Sequence, residues 1–101
     1  PSGTAVMLAK RLQEAREGST LNIGRHENGK RPSGEIGIHS LRYGSEVGTH
    51  EIIFSNGLET ITLRHDAKDR ALFARGALSA AKWLIIQPAG LYGMRDFLKE
   101  V

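Results

Sequence analysis

The residues best placed to do chemistry stand at the very start of the chain, where Ser2, Gly3 and Thr4 lead directly into an amphipathic run. A helix beginning there presents unpaired backbone N–H groups, and its dipole adds partial positive charge at the same point. Two hydroxyls converge on that point, and glycine lets an anion approach the backbone, so a carboxylate or phosphate would be held. The competing reading is plain capping, in which the hydroxyl of Ser2 or Thr4 accepts one free N–H and nothing else binds. The remaining candidates are weaker. His26, His39, His50 and His65 lack the i, i+4 spacing of a helical metal pair, and three fall on predicted strands, so no metal centre is expected. Glu35, Glu46, Glu51 and Glu59 are dispersed over strands and turns, without paired acid/base geometry. No glycine-rich dinucleotide fingerprint follows a strand, and no phosphate loop ends in Gly-Lys-Ser/Thr. Taken alone, the chain carries no catalytic constellation.

The elements that must position these residues follow from periodicity. Ala5, Leu8, Ala9, Leu12 and Ala15 recur at helical spacing and predict a helix from about Thr4 to Glu17, with Gly18 as its stop. Residues 22–34 are polar and glycine-rich and predict a long loop, with room for a short strand around residues 21–24. From Glu35 the period becomes two. Residues 36–43, 47–54 and 58–65 read as three strands of an antiparallel meander, with Asn56-Gly57 as the type I′ hairpin signal. Ile61, Leu63 and His65 share one face and Thr60, Thr62 and Arg64 the other, whereas Ile52 and Ile53 put apolar bulk on both faces. One face then packs on helices and the other meets a second sheet, which points to an oligomer. Asp66 or Asp69 is placed to cap a helix over about residues 70–85, with Phe73, Ala77, Ala80, Ala81 and Leu84 as its buried stripe. Pro88 and Gly90 end it, and residues 93–101 form a tail of one more helical turn or an edge strand. The fold class is α+β: a mostly antiparallel sheet with helices on one face.

Composition bounds the rest. With 101 residues the chain is one small domain, and a two-domain enzyme is excluded for these residues by themselves. The 14 Lys+Arg against 11 Asp+Glu leave a net charge of +3 without a basic run, so nucleic acid is not the expected partner. The absence of cysteine excludes disulfides and thiolate chemistry and fits a reducing cytoplasm. No apolar stretch approaches the ~18 residues of a membrane span. The opening Pro1-Ser2-Gly3-Thr4 has neither a Met start nor a signal peptide and reads as the interior of a longer protein.

Several blocks together carry a family resemblance. Residues 1–5 (Pro-Ser-Gly-Thr-Ala), 34–42 (Gly-Glu-Ile-Gly-Ile-His-Ser-Leu-Arg) and 47–50 (Val-Gly-Thr-His) resemble the C-terminal domain of dihydrodipicolinate reductase. So do residues 63–67 (Leu-Arg-His-Asp-Ala), Arg70, residues 73–78 (Phe-Ala-Arg-Gly-Ala-Leu), Ala80-Ala81, Trp83-Leu84 and residues 90–96 (Gly-Leu-Tyr-Gly-Met-Arg-Asp). The resemblance covers essentially the whole chain in the family's order. It implies a reductase of the diaminopimelate and lysine pathway that converts 4-hydroxy-tetrahydrodipicolinate to tetrahydrodipicolinate. A preceding Rossmann domain would hold NADH or NADPH, and hydride would pass from the nicotinamide to the substrate ring. Residues 1–101 would bind the dicarboxylic substrate and build a homotetramer through the sheet. In the family, Ser-Gly-Thr at the mouth of the helix holds a substrate carboxylate, which maps onto Gly3 and Thr4 with Ser2 adjacent. Arg70 and Phe73 match positions that approach the cofactor. The family's catalytic His pair and proton-donating Lys lie upstream of Pro-Ser-Gly-Thr-Ala, so no residue here inherits those roles and these residues alone would be inactive. Gly93 stands where the family usually has Asp before Met-Arg-Asp, which puts a role for that acid in doubt. The alternative is a non-catalytic α+β oligomerisation module that kept the fold without the chemistry.

Overall fold

The computed structural model describes residues 1–99. They form two compact units, Pro1–Glu46 and the chain from Val47 onward. The fold class is α+β.

In the first unit, helix α1 spans Gly3–Ala15. Ser2 is its N-cap, and the backbone there is extended. The apolar stripe turns inward: Ala9 is buried, and Leu8 and Leu12 are half-buried. Gly18 lets the chain reverse after α1, since its φ of 78° is strained for any residue with a Cβ. Strand β1 (Thr20–Ile23) follows and pairs in parallel with β2 (Glu35–Ile38). Thr20 pairs with Glu35 and Ile23 with Ile38. Bonds from Thr20 N–H to the Gly34 carbonyl and from Gly24 N–H to the Ile38 carbonyl carry the pairing past both ends. A parallel pair needs a crossover of roughly a dozen residues, and the polar segment between β1 and β2 supplies it. The Gln13 side chain donates to the Ser19 carbonyl at 3.1 Å and ties α1 to the approach to β1.

In the second unit, β3 (Gly48–Ser55) and β4 (Thr60–Ala67) form an antiparallel hairpin. Its two faces differ in kind. His50, Ile52 and Phe54 lie opposite His65, Leu63 and Ile61, whereas Thr49, Glu51 and Ser55 lie opposite Asp66, Arg64 and Thr60. Helix α2 (Ala71–Leu84) follows; the Asp69 carboxylate accepts from Ala71 N–H at 2.8 Å and opens it. Helix α3 (Met94–Leu98) packs on α2 through Trp83, whose ring meets Tyr92 edge-on at 5.4 Å and Phe97 at 5.7 Å. The Tyr92 hydroxyl donates to the Pro88 carbonyl, and the Asp96 carboxylate accepts from Gly93 N–H at the start of α3.

Four expectations need correction. The three-stranded meander is replaced by a parallel pair and a separate hairpin, because period-two patterning fixes a strand but not its partner or direction. The strand predicted over residues 36–43 ends at Ile38, and residues 39–43 form no ladder. At the hairpin only Gly57 has a positive φ, 87°, and among the described residues none other than glycine does, so the turn is not type I′ over Asn56-Gly57. Asn56 instead pairs with Glu59 and its side-chain oxygen accepts from the N–H groups of Leu58 and Glu59, leaving Gly57-Leu58 central. Finally, the predicted stripe of α2 is not buried: Phe73 is 57% and Leu84 49% exposed. Asp69, not Asp66, serves α2, since Asp66 is occupied within the hairpin. The tail forms the helical turn α3, and its last two residues lie outside the described ones.

Candidate anion site at the first helix

The start of α1 is built by a division of labour between Ser2 and its neighbours. Ser2 Oγ accepts from Ala5 N–H at 3.1 Å, and its carbonyl accepts from Val6 N–H at 3.1 Å. Capping thus falls to Ser2, whose extended φ and ψ of −71° and 163° aim the hydroxyl back at the first turn. Thr4 sits inside the helix and is exposed. Nothing stands within 4 Å of where a Cβ on Gly3 would project, so the backbone there is open to approach. Among the described residues, no acceptor takes the N–H groups of Gly3 and Thr4, which point out of the helix end as free donors. The arrangement can therefore offer an anion two backbone donors and one hydroxyl in the field of the helix dipole. The helix carries no acidic residue in its first turn to oppose a negative ligand.

The segment leading from β1 to β2 is fixed by a feature that sequence reading missed. Arg25 Nη1 donates to both carboxylate oxygens of Glu35 at 2.9 and 3.0 Å, and the Glu35 side chain is only 5% exposed. The two residues are ten positions apart across a loop, so no helical or strand period signals them. His26 Nδ1 lies 3.0 Å from the Gly24 carbonyl in the same stretch.

Arg70 and Phe73 belong to the second unit, at the start of α2. Both are exposed, and a spacing of three puts them on neighbouring positions of one helix face. The hairpin's polar face carries a charged network. Asp66 accepts from Lys68 at 2.8 Å and from the Thr49 hydroxyl at 2.9 Å, and Arg64 pairs with Glu51. The Lys68 ammonium, the Thr49 hydroxyl and the Arg64 charge together hold the Asp66 carboxyl down at about 2. No helix among the described residues is long and apolar enough to cross a membrane. No cluster of three or more His, Cys, Asp or Glu suited to a metal ion occurs among them either.

The comparisons with known proteins agree along the chain. The family model described as "Dihydrodipicolinate reductase, C-terminus" matches residues 1–98. The chain is 50% identical to a 4-hydroxy-tetrahydrodipicolinate reductase of Gluconobacter oxydans, over 99% of this chain and 41% of that protein. It is 48% identical to the enzyme of the same name from Alkaliphilus metalliredigens, over 97% of this chain and 41% of that one. For the Pelagibacter ubique reductase the identity is 47%, over 97% and 40%. The chain thus spans about two fifths of the length of these relatives.

Proposed function

The chain belongs to the dihydrodipicolinate reductase family, matching its C-terminal part, and we propose that it is the substrate-binding portion of a 4-hydroxy-tetrahydrodipicolinate reductase. On this reading the protein is an oxidoreductase of lysine and diaminopimelate biosynthesis working in the cytoplasm. The observation that carries it is the open N-terminus of α1, where Ser2 does the capping and leaves Gly3 and Thr4 to a ligand carboxylate. A dicarboxylic substrate suits that site, because two N–H donors and a hydroxyl match the lone pairs of one carboxylate.

The cofactor of such a reductase is NADH or NADPH, and when bound it supplies the hydride. Here Arg70 and Phe73 suit only its edge: an open cation beside an open ring can meet a phosphate and a flat heterocycle, but neither is recessed. No residue of this chain takes a catalytic proton-transfer role, so NADPH oxidation by residues 1–101 alone would contradict the reading. Self-association through the sheet into a homotetramer belongs to the same proposal and is supported by the uncovered apolar face of the hairpin, where Phe54, Ile61 and Leu63 are 46–58% exposed. Native mass spectrometry of the chain should give a tetramer; a clean monomer removes self-contained assembly from the proposal.

Thr4→Val in the full-length enzyme tests the site directly. It removes the hydroxyl and keeps the shape, so substrate binding should weaken by roughly 1.5–3 kcal/mol, one hydrogen bond to a charged group. An unchanged KM and kcat would leave Thr4 without a part in binding.

A further inference from the structure

The chain holds one dipeptide twice: Asn28-Gly29 on the loop between β1 and β2, and Asn56-Gly57 at the turn of the hairpin. Glycine leaves its own backbone nitrogen uncrowded, so that nitrogen can attack the carboxamide of an asparagine just before it. Both pairs are exposed, and both glycines have a positive φ, 138° and 87°. Nothing stands within 4 Å of where a Cβ on either glycine would project. The two sites therefore share their covalent chemistry and differ in the hydrogen bonds around them.

At the hairpin the carboxamide is pinned. Asn56 Oδ1 accepts from the N–H groups of Leu58 and Glu59 at 3.0 Å each, and Asn56 N–H donates to the Glu59 carbonyl at 3.3 Å. Bringing the carboxamide carbon onto the Gly57 nitrogen requires rotation about the Asn56 side chain and backbone, which breaks these bonds. On the loop, neither the Asn28 side chain nor the Gly29 N–H has a hydrogen-bond partner among the described residues. Asn28 can turn toward Gly29 without losing a bond, while the Arg25–Glu35 pair holds the base of the loop.

We propose that Asn28 is a site of spontaneous deamidation and that the hairpin turn spares Asn56. The Gly29 nitrogen bonds to Asn28 Cγ, the Cγ–Nδ2 bond breaks, and ammonia leaves with the Gly29 amide proton. Water then opens the five-membered imide at either carbonyl, giving aspartate or isoaspartate, with nothing oxidised or reduced. Each event puts a carboxylate on a loop that carries Arg25, His26, Lys30 and Arg31, and lowers the net charge of +3 by one. The isoaspartate form lengthens the loop backbone by one carbon, which an exposed loop absorbs at small cost.

The test is incubation of the chain at mildly alkaline pH, followed by peptide mapping by mass spectrometry with isoaspartate resolved from aspartate. The expected result is conversion at Asn28, in both product forms, at least about 10-fold faster than at Asn56, the equivalent of one or two hydrogen bonds held at the turn. In guanidinium chloride the two sites should react at similar rates. Asn28→Gln should abolish the fast conversion and leave the slow one at Asn56, with circular dichroism checking that the fold persists. Equal rates in the folded chain, faster conversion at Asn56, a rate difference that survives denaturation, or aspartate without isoaspartate would each overturn the assignment.

Discussion

The two units differ in whether a charged pair is taken out of water and in whether the apolar stripe of the helix is covered. In the first, the Glu35 carboxylate is taken almost out of water and held at both oxygens by one guanidinium nitrogen of Arg25, while the helix stripe finds its cover on β1 and β2. In the second, Glu51, Arg64 and Asp66 share one ladder face, Lys68 reaches Asp66 from just past its end, and large apolar side chains such as Ile85 and Ile86 remain 77–81% exposed. A buried pair has to be kept together because a lone buried charge is costly. Exposed pairs carry little energy each, and exposed apolar faces carry theirs only when something covers them. The first unit is thus built to hold a helix end in place, and the second to present surfaces.

The sharpest way to break that contrast is Arg25→Met. With Glu35 left unpaired in a shielded position, the first unit should lose about 3 kcal/mol in urea denaturation. A loss of about 1 kcal/mol or less would mean the pair behaves like a surface one. Next in size is Trp83→Ala in the second unit. Two ring contacts worth about 0.5–1.5 kcal/mol each disappear, so α3 should release from α2 with a loss of about 2 kcal/mol. Hydrogen exchange at residues 94–98 reads this, and unchanged protection would show that α3 docks by other means.

The smallest effect is acid sensitivity of the hairpin. Asp66 is held at about 2 in the folded chain against an ordinary 3.8, so its contribution is complete above about pH 4 and is lost as pH falls toward 2. Asp66→Asn should flatten that part of the stability–pH profile. A variant as acid-sensitive as the parent between pH 4 and 2 would place the effect elsewhere.

Much of this was legible beforehand, and the failures have physical reasons. The α1 stripe, the Ser2 hydroxyl and the Gly18 stop are local features, and local chemistry decides them. Choosing Ser2 over Thr4 as the cap needs backbone angles that composition does not carry. β2 was recognisable as a strand from Ile36 and Ile38, but its parallel partner β1 lies across a loop whose closure depends on Arg25 and Glu35. The hairpin was signalled by Asn56-Gly57, yet the turn shifted by one residue because the Asn56 side chain binds the two following N–H groups. The α2 stripe reads as buried because apolar spacing shows what a helix could cover, not whether a partner is there. The Trp83, Tyr92 and Phe97 contact had a faint sequence signal, three of the chain's six aromatic residues within one short stretch.

The Arg25–Glu35 clamp, with the Gly24-to-Ile38 bond beside it, closes the stem of the loop between β1 and β2. Chain beyond a closed stem adds little to the entropy of closure, about 0.6 kcal/mol for each doubling of length. Evolution can therefore lengthen, shorten or rewrite the tip of this loop at small thermodynamic expense, while the strands at its base, and the helix end they support, stay in register.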